Sequence, residues 1–196
     1  MRHYFTKDND QLSSNRKTIR FHLRDLLFEL ETDNGVFSKS GLDFGTRVLL
    51  DALRLEPGST VLDMGCGYGP IGIAAARIFG AKVTMADVNQ RAVELARSNA
   101  EKYRLDITVV QSDGFANVSG SFSVILMNPP IRAGKQVIYG LFASAKDHLV
   151  EGGRLILVIQ KKQGAESALG FLRSLYGTAE IIERKSGYQV IACEKH

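Results

Sequence analysis

Val61-Leu62-Asp63-Met64-Gly65-Cys66-Gly67-Tyr68-Gly69-Pro70 decides the fold. Its opening apolar run reads as a buried strand over Thr60–Asp63. Gly65, Gly67 and Gly69 then permit a tight turn. Pro70 suits a first helical turn, where its missing N–H costs nothing. The helix predicted from Pro70 to Phe79 offers free N–H groups at its start, and glycine lets a ligand approach that backbone.

The same strand–turn–helix pattern continues downstream. Lys82–Asp87 reads as a strand and Asn89–Tyr103 as a helix carrying apolar Ala92, Val93, Leu95 and Ala96. Ile107–Val110 and Phe122–Met127 are further strands. A helix is predicted from Lys135 to Leu149, with Gly152-Gly153 as its C-terminal stop. Arg154–Gln160 is a fifth strand and Gly164–Tyr176 a further helix. Ala179–Arg184 and Tyr188–Cys193 alternate around Ser186-Gly187 as a terminal hairpin. Strands alternating with helices predict an α/β, Rossmann-like, doubly wound, mostly parallel seven-stranded sheet with an antiparallel C-terminal strand. Upstream, Lys17–Leu23 and Leu26–Glu31 alternate with period two around Arg24-Asp25, which predicts a small β-hairpin. The stretch from Val36 to Thr46 reads as loop, followed by a helix over Thr46–Leu53.

The 196 residues suit a single domain, with 1–58 as an N-terminal hairpin and approach segment and 59–196 as the core. No apolar stretch approaches the ~20 residues needed to cross a bilayer. Met1-Arg2-His3-Tyr4-Phe5 is not followed by a signal-peptide core, so a soluble cytosolic protein is expected. Cys66 and Cys193 read as unpaired thiols, and the histidines show no ligand spacing, so no metal is expected. Lys and Arg number 25 against 21 Asp and Glu, and the excess falls after Pro130. Positive charge there suits either a polyanionic substrate or a solvated surface.

The chemistry concentrates at strand ends. Asp87 closes the second core strand about 20 residues after the glycines, where a carboxylate can accept both hydroxyls of a ribose. A dinucleotide fold would want Gly-x-Gly-x-x-Gly, but the position after Gly69 is Pro70. Asp63 sets negative charge beside the loop, which disfavours a pyrophosphate and suits an ammonium or sulfonium. Asp113 follows the third core strand and can accept from an adenine amine, with Phe115 lining the ring. Asn128-Pro129-Pro130-Ile131 follows the fourth. The prolines stop the strand and stiffen the turn, which holds one amide side chain at the carboxyl edge where open α/β sheets bind ligands.

These residues resemble class I S-adenosylmethionine-dependent methyltransferases, most strongly at Val61–Pro70, Asp87, Asp113 and Asn128–Ile131. The stretch from Asn34 through Gly35-Val36-Phe37-Ser38 to Thr46 is similar to the catalytic half of the ribosomal RNA small-subunit guanine-N2 methyltransferases, the RsmC-like group. The resemblance implies S-adenosylmethionine as cofactor and ribosomal RNA as partner. It implies that Asp63 and Gly65 lie near the methionine amine, with Gly67 and Gly69 in the same loop. Asp87 and Val88 then meet the ribose, and Asp113, Gly114 and Phe115 the adenine. Phe37 and Thr46 belong to a segment closing over the cofactor, and Asn128, Pro129, Pro130 and Ile131 form the catalytic turn. Many Asn-Pro-Pro enzymes carry an aromatic residue next, where Ile131 stands here, and larger members of the group have an additional N-terminal domain.

The chemistry expected is direct displacement. Asn128 and the Pro129 carbonyl accept hydrogen bonds from an exocyclic amine and hold its lone pair toward the methyl. Arg132 and Lys135 are candidates for flanking phosphates. A protein glutamine N5-methyltransferase, an adenine-N6 methyltransferase, a cofactor-binding RNA assembly factor without turnover and a nicotinamide enzyme are the competing readings.

Overall fold

In chain order the elements are β1 (Lys17–Leu23), β2 (Leu26–Thr32), α1 (Phe44–Ala52), β3 (Thr60–Met64), α2 (Pro70–Phe79), β4 (Lys82–Asp87), α3 (Gln90–Lys102), β5 (Ile107–Gln111), β6 (Phe122–Met127), α4 (Lys135–Asp147), β7 (Leu149–Gln160), α5 (Ala165–Tyr176), β8 (Glu180–Lys185) and β9 (Tyr188–Glu194). They come from a computed structural model that describes residues 13–36 and 41–196. Phe37, assigned above to the cofactor, lies outside the described residues.

The sheet order is β5-β4-β3-β6-β7-β9-β8. All neighbours from β5 to β7 pair in parallel, and β9 runs antiparallel to β7 and β8. This is the Rossmann-like architecture expected, with helices on both faces. The central strands β3 and β6 and the second half of β7 are largely apolar and buried because both sides are covered, whereas the edge strand β8 is mostly exposed. Val124 and Leu126 of β6 pack on one face, while Ile125 and Met127 pack on the other. The chain leaves β3 toward β4 on one side and pairs β3 with β6 on the other. That reversal opens a crevice at the strands' carboxyl ends.

β1 and β2 form the expected hairpin, turned at Arg24, whose φ of 51° is left-handed. It docks on α2 and α3. Phe21 and Phe28 stack at 5.3 Å, and the Arg77 guanidinium lies 4.7 Å above Phe28 and 4.5 Å above Tyr103. Buried Asn99 on α3 extends the strand edge: it accepts from Glu31 N–H (2.8 Å) and donates to Glu31 C=O (2.9 Å) and Tyr68 C=O (2.9 Å).

Several boundaries differ from expectation, two of them for a clear physical reason. Helix α1 begins at Phe44, ahead of Thr46, because Asp43 caps it by accepting from Thr46 N–H at 2.9 Å. Gly152-Gly153 does not stop α4, which ends at Asp147 with His148 as its cap. The glycines lie inside β7, where they pair with Lys195: Gly152 N–H donates to Lys195 C=O and Lys195 N–H to Gly153 C=O, both at 2.9 Å. A Cβ on Gly153 would sit 2.7 Å from the Val150 carbonyl oxygen, so close backbone packing explains that glycine. No helix among the described residues is long and apolar enough to cross a membrane.

Candidate active site

A cavity of about 550 Å³ opens at the carboxyl ends of β3, β4, β5 and β6. Its first wall is the glycine turn. Gly65 and Gly67 have φ of 73° and 56°, and a Cβ on either would point into open space. Both line the cavity, leaving bare backbone for a ligand. Gly69 is different. It precedes α2 with φ of 92°, and a Cβ there would lie 3.1 Å from Ile73 and 3.4 Å from the Ala96 backbone. It serves helix packing and does not line the cavity.

Asp87 ends β4 on the cavity wall. Its two oxygens accept from Gly67 N–H and Asn89 N–H, each at 2.9 Å. A carboxylate oxygen can accept more than one bond, so Asp87 is fixed in place and still has lone pairs for ribose hydroxyls. Burial pushes its carboxyl above the usual range, against the lowering effect of those N–H bonds.

Asp63 sits elsewhere than expected. Strand side chains alternate, so it shares a face with Val61, under α2. It is fully buried and absent from the cavity wall. Oδ2 accepts from Gly72 N–H at 2.8 Å, and Oδ1 has no hydrogen-bond partner among the described residues. Burial, joined by the nearby Asp87 charge, pushes its carboxyl up to about 7. Cys66, between the two acids, lines the cavity with its thiol raised by burial and by both carboxyls.

Val88, Asp113 and Gly114 line the third wall, joined by Ser112 and Asn89, which sequence reasoning passed over. Phe115 does not. It is buried against the opposite layer, with its ring 4.6 Å from His148. No three His, Cys, Asp or Glu side chains converge as a metal site among the described residues.

Asn128, Pro129, Pro130 and Ile131 form the remaining wall with Thr46 and Arg132. After Pro130 the chain makes one 3₁₀ turn, Ile131–Ala133. The Pro129 carbonyl accepts from Ile131 N–H at 2.9 Å, which occupies one lone pair and leaves the other. Asn128 Nδ2 donates to Asp43 Oδ2 at 3.0 Å and to Thr46 Oγ1 at 2.9 Å. Thr46 therefore holds Asn128 as well as lining the cavity. Asp43 was missed, although it also lines the cavity. The local signal for it was its capping position before α1; its partner lies 85 positions away.

Tyr188, at the start of β9, was likewise missed. It lines the cavity, and its ring rests on Gly45, where a Cβ would lie 2.9 Å from Tyr188 Cε1. Phe44 packs against it at 5.5 Å. Burial and the Asp43 charge raise the Tyr188 phenol. Lys135 sits exposed on the first turn of α4, with its ammonium 5.1 Å from the Tyr139 ring, and is not on the cavity wall.

Comparison with known proteins accords with this geometry. The family described as methyltransferase small domain matches residues 28–192. The uncharacterized protein YbxB of Bacillus subtilis (strain 168) is 43% identical over 198 residues, 98% of either chain. Ribosomal RNA small subunit methyltransferase C of Haemophilus influenzae (strain PittGG) is 39% identical over 129 residues, covering 63% of this chain and 39% of that one. Among solved structures, the 16S rRNA N2 G1207 methyltransferase (RsmC) of T. thermophilus, in complex with AdoMet and guanosine, superposes with a TM-score of 0.86 at 25% identity. That match spans 94% of this chain and 52% of the other, so the chain covers about half of the T. thermophilus enzyme. The family match spans the open glycine turn, the fixed carboxylate at the end of β4 and the Asn-Pro-Pro corner after β6, and this chain belongs to the methyltransferase small domain family, whose cofactor is S-adenosylmethionine.

Proposed function

We propose that the chain methylates the exocyclic N2 of a guanine in small-subunit ribosomal RNA. The observation that carries the reading is the placement of Asn128 in the same cavity as Gly65, Gly67 and Asp87, with both amide hydrogens already engaged. The relatives and the solved structure named for rRNA guanine-N2 methylation support the substrate class.

S-adenosylmethionine, when bound, supplies an electrophilic methyl on a sulfonium that departs as a neutral thioether. Gly65 and Gly67 would hold it through backbone, Asp87 through ribose hydroxyls, and Ser112, Asp113 and Gly114 beside the adenine. The Asp87 carboxylate on the cavity wall makes the loop's surroundings favourable to a cation. An aromatic amine is a poor nucleophile because its lone pair is delocalised into the ring. Asn128 Oδ1 and the remaining Pro129 lone pair accept from its two hydrogens and turn the nitrogen lone pair toward the methyl. As the nitrogen becomes positive these bonds strengthen, which is differential stabilisation of the transition state. The proton then leaves to water, and no strong base is required. A base inside a paired helix cannot reach this depth, so the guanine is single-stranded or flipped. Tyr188 offers the aromatic wall that Ile131 does not; stacking of this kind contributes ~1–3 kcal/mol per base. Arg132, exposed at the lip, is placed for a flanking phosphate.

Purified protein with labelled S-adenosylmethionine, offered RNA from a deletion strain, DNA and protein in separate reactions, tests the reading. Label in small-subunit rRNA, mapped to guanine N2, is the expected result. Asn128→Ala should lose at least a hundredfold in turnover while retaining cofactor affinity, by analogy with loss of one oxyanion-hole donor, ~10²–10³ in rate. Label confined to DNA or to glutamine side chains would overturn the proposal.

A further inference from the structure

We infer that Asp43 and Thr46 are positioning residues that select which end of the Asn128 amide faces the substrate. The inference rests on the role proposed for Asn128. A carboxamide has two orientations related by a half-turn, one presenting an acceptor and the other two donors. Here Nδ2 has two acceptors within reach, Asp43 Oδ2 at 3.0 Å and Thr46 Oγ1 at 2.9 Å. Each takes one amide hydrogen. A carboxylate oxygen has no hydrogen to offer, so the reverse orientation would bring Asn128 Oδ1 against Asp43 Oδ2, two acceptors facing each other. The side chain consequently presents Oδ1 alone to the cavity.

Three features make this arrangement stiff. Thr46 is buried, with 3% of its surface exposed. Asp43 Oδ2 also accepts from Thr46 N–H at 2.9 Å, so the cap of α1 and the partner of Asn128 are one atom. Tyr188 packs over Gly45 between the two positions, and a Cβ on Gly45 would also lie 3.1 Å from Asp43 Oδ2. The anionic partner further polarises the amide. Pulling on its N–H pushes electron density toward Oδ1 and strengthens it as an acceptor, an effect charge-assisted bonds transmit along a network. The substrate consequence is specific. The nucleophile must bring N–H hydrogens to the site, as a primary amine or amide does; a carbonyl oxygen would meet only lone pairs.

The test separates positioning from folding. Asp43→Ser keeps a hydroxyl able to cap Thr46 N–H but too short to reach Asn128. Thr46→Val keeps shape and removes the hydroxyl, and Thr46→Ser restores it. Expected for Asp43→Ser and Thr46→Val is a fall in kcat on the RNA substrate of roughly ten- to a hundredfold. Cofactor affinity by calorimetry and Tm should stay near wild type, and Thr46→Ser should recover most of the activity. A second readout needs no substrate. The Asn128 Nδ2 hydrogens, identified in NMR spectra by their loss in Asn128→Ala, should exchange slowly in the wild type and faster in both variants. Wild-type kcat in Thr46→Val and Asp43→Ser, with Asn128→Ala inactive, would overturn the inference and leave the role of Asn128 standing. An active Asn128→Ala would overturn both.

Discussion

Replacing Asp63 by asparagine should flatten the dependence of stability on pH. Asp63 is wholly buried, with one oxygen on Gly72 N–H and the other without a partner among the described residues. Burial raises its carboxyl from an ordinary 3.8 to about 7. Between those values the folded protein holds a proton that the unfolded chain has released, so raising the pH favours unfolding. The penalty begins near pH 4 and is complete above pH 7, where it reaches about 4 kcal/mol at ~1.4 kcal/mol per tenfold change in proton affinity. From pH 5 to pH 8 roughly 2–3 kcal/mol is lost, or about 5–10 °C in Tm for a chain of this size. The amide introduced by Asp63→Asn cannot ionise, and its oxygen can still accept from Gly72. Any constant cost of fitting an amide there cancels when slopes are compared, and the slope from Asp87, also raised by burial, is shared by both proteins. Thermal unfolding followed by circular dichroism at fixed ionic strength across pH 5–8 measures the difference. Parallel Tm profiles for wild type and variant would refute the buried, proton-holding carboxyl.

Gly72→Ala would place a Cβ 2.7 Å from Met85 Cγ and Sδ. Met85 is flexible but fully buried, so the overpacking should cost about 1–3 kcal/mol, read as a lower midpoint in urea unfolding. Asn99→Ala removes the bonds that tie Glu31 and Tyr68 to α3. It should cost ~2–3 kcal/mol and expose the hairpin to limited proteolysis before the core. Arg132→Ala should weaken RNA binding at low salt and reduce the slope of log K against log salt by ~0.7–0.9. An unchanged slope would remove Arg132 from the phosphate contacts.

Much of the fold was legible because its signals are local. β4, β6 and α2 begin and end where the apolar runs, the glycines and Pro70 place them. The Ser186-Gly187 turn, with both φ values positive, marks the last hairpin. The errors arose where one local signal has two physical meanings. Gly152-Gly153 looks like a helix stop, yet the glycines lie in β7 beside Lys195, a pairing invisible from neighbours in the chain. Asp63 stands next to the glycine loop in sequence, but the pleat turns it beneath α2 and away from the cavity. Phe115 follows Asp113 and Gly114 closely, yet packs against His148 in the opposite layer.

Periodicity, glycine and proline act over a few residues, so the sequence by itself determined the alternation of strands and helices, the edge that carries the cavity and the Asn-Pro-Pro corner. Which way the Asn128 amide points, and that Asp43, Thr46 and Tyr188 surround it, only the tertiary structure decided. Those contacts join residues some eighty positions apart or sit on a strand inserted between β7 and β8. A hydrogen bond depends on distance in space, which no local pattern encodes.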